Sequence, residues 1–259
     1  LNSEVRFHLS LPPHDNVIEL YRVEYKKDVL FLIMELVEGT SLAELMVTHP
    51  AFTSKSWDSH NTHIKDIYGS VVKAIDHCHR HGLYHRDIKP ENVVINVHET
   101  EWSMWFFVKV IDFGLATDQL QSKDVFCGTL RYMSPEAINY RDEQQVDKND
   151  VSNVTAALPA ATTTINSAAA DVWSLGVLLF RLLNPINQMD VTMFWKVASM
   201  NDIVFEKYAS DAKDFIAKLP FTDIVRKILG QALVIDPKRR ISMSRLAELV
   251  SNVTMYVST

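Results

Sequence analysis

Asp87-Ile88-Lys89-Pro90-Glu91-Asn92 puts a carboxylate, an ammonium and an amide on one short segment, and Asp112-Phe113-Gly114 follows further along. The Asp87 carboxylate could accept a proton from an attacking hydroxyl. The Lys89 ammonium could neutralise charge on a transferred phosphoryl group. The Asn92 amide and the Asp112 carboxylate offer oxygen ligands, the kind that Mg²⁺ prefers. Taken together, these residues describe phosphoryl transfer, which asks a protein for positioning and charge neutralisation more than for covalent work. For any single aspartate the competing interpretation is a solvated surface carboxylate.

This layout is matched to a known template rather than derived. From about Glu4 to about Leu249 the chain resembles a eukaryotic-type protein kinase of the serine/threonine class. His85-Arg86-Asp87 with Asn92 resembles the catalytic loop, and Asp112-Phe113-Gly114 the metal-binding motif that opens the activation segment. Ser134-Pro135-Glu136 resembles the motif that closes the segment, and Asp171-Val172-Trp173-Ser174-Leu175-Gly176 the central helix of the large lobe. Arg240, after Asp236-Pro237, resembles the arginine that pairs with the closing-motif glutamate. Several motifs in the right order are far more specific than any one of them. Leu219-Pro220-Phe221-Thr222 and Asp236 to Arg240 are also similar to fungal regulatory kinases.

The resemblance implies an α+β, two-lobed kinase-like fold. Residues 1–37 would be a partial, β-rich small lobe and residues 38–259 a mainly α-helical large lobe. It implies ATP and Mg²⁺ as cofactors and a protein Ser/Thr hydroxyl as acceptor. Asp87 would be the base, with Lys89, Asn92 and Asp112 completing the catalytic set, and Asn92 and Asp112 holding the metal. Glu4 would pair with an ATP-binding lysine, Met34 would be the gatekeeper, and Glu35 to Val37 the hinge that meets adenine. Glu91 and Val94 would also line the nucleotide. Lys89 and Thr129 fit the serine/threonine class. His85, Phe113, His8 and Leu20 would stack into a column between the lobes, based on Asp171.

The family also carries a glycine-rich loop and a strand lysine ahead of the helix that holds Glu4. None of the seven glycines here precedes Gly39. One interpretation is that the sequence is a piece of an active kinase and is itself nearly inactive. The other is a pseudokinase that serves as a binding or scaffolding module, although a scaffold has no need of Asp87, Lys89, Asn92 and Asp112 together. A small-molecule kinase is a third class, but it would lack the Ser-Pro-Glu and Asp-Val-Trp features.

Composition sets the outer bounds. With 259 residues, 47% of them hydrophobic and 22% charged, the chain reads as ordinary globular protein. A net charge of −6 gives no nucleic-acid footprint. No apolar run is long enough to span a bilayer. The two cysteines form no disulfide framework, which fits an intracellular compartment, cytoplasmic or nuclear. The sequence leaves oligomeric state open.

Along the chain, residues 1–11 read as the end of a helix stopped by Pro12-Pro13. Val17–Val23 and Val29–Leu36 read as a hairpin. Residues 63–81 carry an apolar stripe at helical spacing, with Gly82 ending the helix. The string His77 to His81 reads as that helix end rather than a zinc site. Val93–Ile95 and Phe106–Ile111 read as strands joined by a long connection, His98 to Trp105. That connection is either a surface hairpin insert or, through Trp102 and Trp105, a docking patch. Residues 143–170 read as a low-complexity, mobile insertion, and the Asn153 sequon within it has no role in a cytosolic protein. Helices are expected at Asp171–Leu183, Val191–Ala198, Ser210–Ala217, Thr222–Leu233 and Met243–Val250, the last capped by Ser242.

The activation segment departs from the family. Val125 stands at the usual phosphoacceptor position, and Thr117 stands where a second cation is common. Asp124 could supply Arg86 with a fixed negative charge instead, and Ser122 is the competing phosphosite.

Overall fold

The computed structural model describes residues 3–53, 57–100, 103–124, 127–139, 164–184, 194–254 and 256. Helix α1 (Ser3–Ser10) comes first and ends before Pro12, which has no N–H to continue it. Strands β1 (Leu20–Lys26) and β2 (Val29–Met34) pair antiparallel through Lys27 and Asp28, both at positive φ (46° and 64°), as a two-residue hairpin turn requires. The first strand was expected from Val17. Residues 16–18 are instead diverted onto a later strand: Val110 N–H donates to Asn16 O (2.8 Å) and Ile18 N–H to Val110 O (3.0 Å).

The second sheet contains β3 (Thr40–Ser41), β4 (Val93–Glu99) and β5 (Met104–Val110), in that order and antiparallel. Gly39 lets the chain enter it, because a Cβ there would stand 2.3 Å from Ile95 O. The connection at 98–105 is a hairpin, as one of the two sequence readings has it. Both strands run on until Glu99 faces Met104, and Thr100 N–H closes the turn on Ser103 O (2.8 Å). Trp105 is exposed and stacks on His98, with ring centroids 5.6 Å apart. Trp102 lies outside the described residues.

Helices α2 (Leu42–Thr48) and α3 (Pro50–Thr53) went unanticipated, and the Ser41 side chain caps α2. Helix α4 (Trp57–Arg80) carries the expected stripe: Ile64, Ile67, Val71, Ile75 and Cys78 are all buried. Gly82 ends it at φ 71°. The short strands β6 (Gln121–Ser122) and β7 (Ile165–Asn166) pair antiparallel. Helix α5 (Ser167–Leu183) therefore begins four residues before Asp171, capped by Asn166 Oδ1 accepting from Ala169 N–H (2.9 Å). The end of the stretch expected to be mobile is thus ordered pairing and helix, while residues 143–163 lie outside the described residues.

After it come α6 (Ile203–Ser210), α7 (Ala212–Ala217), α8 (Asp223–Ala232) and α9 (Met243–Ser251). The expected helix over Val191–Ala198 is absent from its described part, 194–198, where Asp202 accepts from the Lys196 N–H (2.8 Å) and shapes a bend. The helix expected at Ser210–Ala217 is split at Asp211, which leaves helical geometry (φ −152°) and caps α7. Ser242 caps α9 as expected. The smaller of two apolar clusters among the described residues gathers Met133, Ala137, Ile138 and Ile165, and the larger runs from Phe7 to Tyr256 around α4 and α5. The Tyr68 hydroxyl ties those two helices by donating to Leu175 O (3.1 Å). Among the described residues no helix is long and apolar enough to cross a membrane.

Candidate active site

The loop from Leu83 to Lys89 joins α4 to β4. Its first anchor is a bridge: Tyr84 N–H donates to Thr117 O (2.8 Å) and Thr117 N–H to Tyr84 O (2.9 Å). Its second is Asp171, fully buried on α5. Asp171 Oδ2 accepts from His85 N–H (2.8 Å), Oδ1 accepts from Arg86 N–H (2.8 Å), and Oδ2 meets His79 Nε2 at 2.8 Å. These bonds hold Arg86 at φ 65°, an unusual conformation for a non-glycine residue. His79 had been read only as part of a helix end.

With the backbone held this way, Asp87 lies buried at the centre of a polar cluster. Lys89 Nζ donates to Asp87 Oδ2 (2.6 Å) and to Thr129 Oγ1 (3.0 Å). Thr129 donates to Asp87 Oδ1 from its N–H and from its hydroxyl, both at 2.9 Å. Burial pushes the Asp87 carboxyl pKa up. The Lys89 and Thr129 hydrogen bonds, with the charges of Lys89 and His85, outweigh that and leave it below its ordinary value. The carboxylate therefore stays ionised and oriented. Gly128 brings Thr129 this close: it sits at φ 101°, and a Cβ there would stand 2.8 Å from Arg86 O.

Asn92 Nδ2 donates to Asp87 O (2.9 Å) and to Asp87 Oδ2 (3.2 Å), which fixes the amide and turns its Oδ1 away from that cluster. Asp112 is exposed at φ 63°, and its Oδ1 accepts from Gly114 N–H (3.1 Å). Helix α1 lies beside the Asp-Phe-Gly turn, with His8 on Phe113, and burial together with the Asp112 charge pushes the Glu4 carboxyl up. One amide oxygen and one carboxylate fit Mg²⁺, which usually takes one or two protein carboxylates and completes its shell with phosphates and water. Among the described residues no group of three or more His, Cys, Asp or Glu forms a metal cage.

Around this centre, His8 packs edge-on to Phe113 (4.9 Å between centroids) and Phe113 lies against His85 (5.0 Å). On the hinge side, Glu35 pairs with Lys109 (2.8 Å), Val37 and Val94 are half-buried, and Met34 is exposed. Glu91 is exposed beside Asn92. In the activation segment Arg86 Nη2 meets Asp124 Oδ2 (3.2 Å), and Arg86 Nη1 donates to Asp124 O (2.9 Å) and Ser122 Oγ (3.3 Å). Ser122 is buried. Arg240 grips Glu136 with two bonds, Nη1 to Oε1 at 2.7 Å and Nη2 to Oε2 at 2.9 Å.

The sequence model of the protein kinase domain matches residues 1–250. The chain is 30% identical over 258 residues to the negative regulator of sexual conjugation and meiosis of Schizosaccharomyces pombe, covering 96% of this chain and 50% of that protein. It is 28% identical over 254 residues to serine/threonine-protein kinase SKS1 of Saccharomyces cerevisiae, covering 98% and 46%. Against CBL-interacting protein kinase 31 of Oryza sativa the identity is 28% over 245 residues, covering 93% and 44%. The chain thus spans about half the length of the curated relatives it matches.

Proposed function

Because this chain belongs to the protein kinase family, we propose that it transfers the γ-phosphate of Mg·ATP to serine or threonine hydroxyls of a protein substrate. The observation that carries the proposal is the single cluster formed by Asp87, Lys89, Thr129 and Asn92. Asp87 orients the acceptor hydroxyl and takes its proton. Lys89, already against Asp87, would balance charge on the moving phosphoryl group. Thr129 fixes both, which suits the serine/threonine class. Asn92 and Asp112 are the metal ligands, and the Mg²⁺ they would hold neutralises phosphate charge when bound. Glu4, Met34, Glu35, Val37, Glu91 and Val94 form the nucleotide side, and Arg86, Asp124, Glu136 and Arg240 the activation segment and its anchor. Residues 1–37 form the small-lobe part and 38–259 the large lobe. Two free thiols, Cys78 and Cys127, support an intracellular setting.

The test is radiolabelled phosphotransfer by the complete protein, beside Asp87→Asn. The variant is expected to lose about 10²–10⁴-fold in rate, the usual contribution of a positioned general base. Equal incorporation by both proteins would remove Asp87 from this role. ATP binding without any transfer by the wild type would favour a pseudokinase.

A further inference from the structure

Helices α6, α7 and α8 and the turn at 233–239 enclose a groove of about 650 Å³ that shares no residue with the candidate active site. Its apolar floor includes Ile216, Ala217, Leu233 and Ile235, and Ile235 is 38% exposed. Gly230 lies on that floor inside α8. It has ordinary helical φ, and a Cβ there would meet only Ile216 Cδ1, at 3.8 Å. Neither backbone nor packing demands glycine, although in a helix interior it costs about 1 kcal/mol relative to alanine. The side chain it lacks leaves the groove open.

The rim of the groove is cationic. Lys213, Arg226 and Arg239 line it together with one carboxylate, Asp236. Arg226 is engaged with Asp223 and donates to Leu219 O (3.0 Å), while Asp236 Oδ1 accepts from Lys238 N–H (2.9 Å). Lys213 and Arg239 are exposed, and neither enters an ion pair among the described residues. On a chain of net charge −6, two uncommitted cations beside an apolar floor reverse the prevailing sign.

We propose that this groove docks an acidic segment of a partner protein. One apolar side chain of the segment rests on Ile216, Leu233 and Ile235, and flanking carboxylates meet Lys213 and Arg239. Exposed ion pairs contribute little each, so the apolar anchor supplies affinity and the cations select the sign of the partner.

The probe is a fluorescein-labelled nonapeptide with a central leucine flanked by glutamates, read by fluorescence anisotropy on the complete protein. A lysine-flanked nonapeptide and an all-glutamate one serve as comparisons. Saturable binding of the first alone is expected, weakening as salt rises. Lys213→Glu with Arg239→Glu is expected to weaken it by about tenfold or more. Gly230→Leu should abolish it by filling the floor, and Gly230→Ala reports whether the helix tolerates a side chain. Asp87→Asn should bind as the wild type does, so the outcome is separate from phosphoryl transfer. Absence of saturable binding would overturn the proposal. So would equal binding of the lysine-flanked or all-glutamate peptide, or indifference to both Gly230→Leu and the double charge reversal in folded protein.

Discussion

Glu136→Gln is expected to destabilise the chain by about 3 kcal/mol. The Arg240 side chain is completely buried, while Glu136 is 16% exposed. The guanidinium also donates to Val234 O (2.9 Å), Ala169 O (2.8 Å) and Ile235 O (3.2 Å), and its Cζ lies 5.1 Å from the centre of the Trp173 ring. Those carbonyls satisfy N–H groups but do not neutralise the charge. Glutamine keeps the shape of Glu136 but removes the charge and replaces one of the two accepting oxygens by an NH2 donor, so one of the paired bonds is lost with the neutralisation. Breaking a buried pair from one side typically costs about 3–5 kcal/mol, and the extra carbonyls put this case at the lower end. For a domain of this size each kcal/mol moves Tm by about 2–4 °C, so a fall of roughly 6–12 °C is expected. Thermal and urea unfolding would measure it beside Glu136→Gln/Arg240→Met, which removes both charges and keeps an apolar stem against Trp173. The double variant should recover part of the loss. A single variant melting within about 1 °C of wild type, or a double variant no better than the single, would refute the reasoning.

In the activation segment, Ser122 is buried and its hydroxyl is already engaged with Arg86, so the complete kinase is expected to stay active after phosphatase treatment. Asp124→Ala should lower activity modestly, since its partly exposed pair is worth about 0.2–1 kcal/mol. Loss of activity on dephosphorylation or in Ser122→Ala, with Asp124→Ala unaffected, would reverse that assignment. Gly128→Ala forces a Cβ against Arg86 O at positive φ, a strain of about 1–3 kcal/mol, and should depress kcat by displacing Thr129 from Asp87. Unchanged kcat in folded Gly128→Ala would contradict the fit. The Asp87 carboxyl lies below its ordinary value of 3.8, so its stabilisation is complete above pH 3.8 and lost as pH falls through the lower folded-state value. Asp87→Asn should therefore flatten the acid limb of stability below pH 3.8, and an identical limb in urea titrations would sink this.

The β1–β2 hairpin, the α4 stripe and the Ser242 cap could be read from the sequence because each rests on neighbouring residues. The motif order likewise marked out Asp87, Lys89, Asn92 and Asp112. What could not be read depends on partners distant in sequence. Asn166-Ser167-Ala168-Ala169-Ala170 looks like low-complexity sequence, yet asparagine caps and alanine favours helix, and Ile165 faces Ser122 across a strand pair. Val17 has the composition of a strand residue, but β5 claims it. The helix expected through Ala198 overlooked Asp202, which collects backbone N–H groups and holds a bend there. His79 was hidden because its partner, Asp171, lies 92 positions further on.

Asp171 also has a consequence for the order in which the chain is made. Arg86, at its left-handed φ, and His85 both donate their backbone N–H groups to this one buried carboxylate. During synthesis the Tyr84–Asn92 segment leaves the ribosome long before residue 171 does. Until α5 emerges and docks on α4, the carboxylate that accepts the His85 and Arg86 N–H groups is missing, and the loop has only the Tyr84–Thr117 bridge and the side-chain bonds around Arg86 and Asp87. A nascent chain that stalls before residue 171 therefore carries the candidate site residues without their anchor on α5. The last anchor of the candidate site arrives with α5, together with the core that α4 and α5 share.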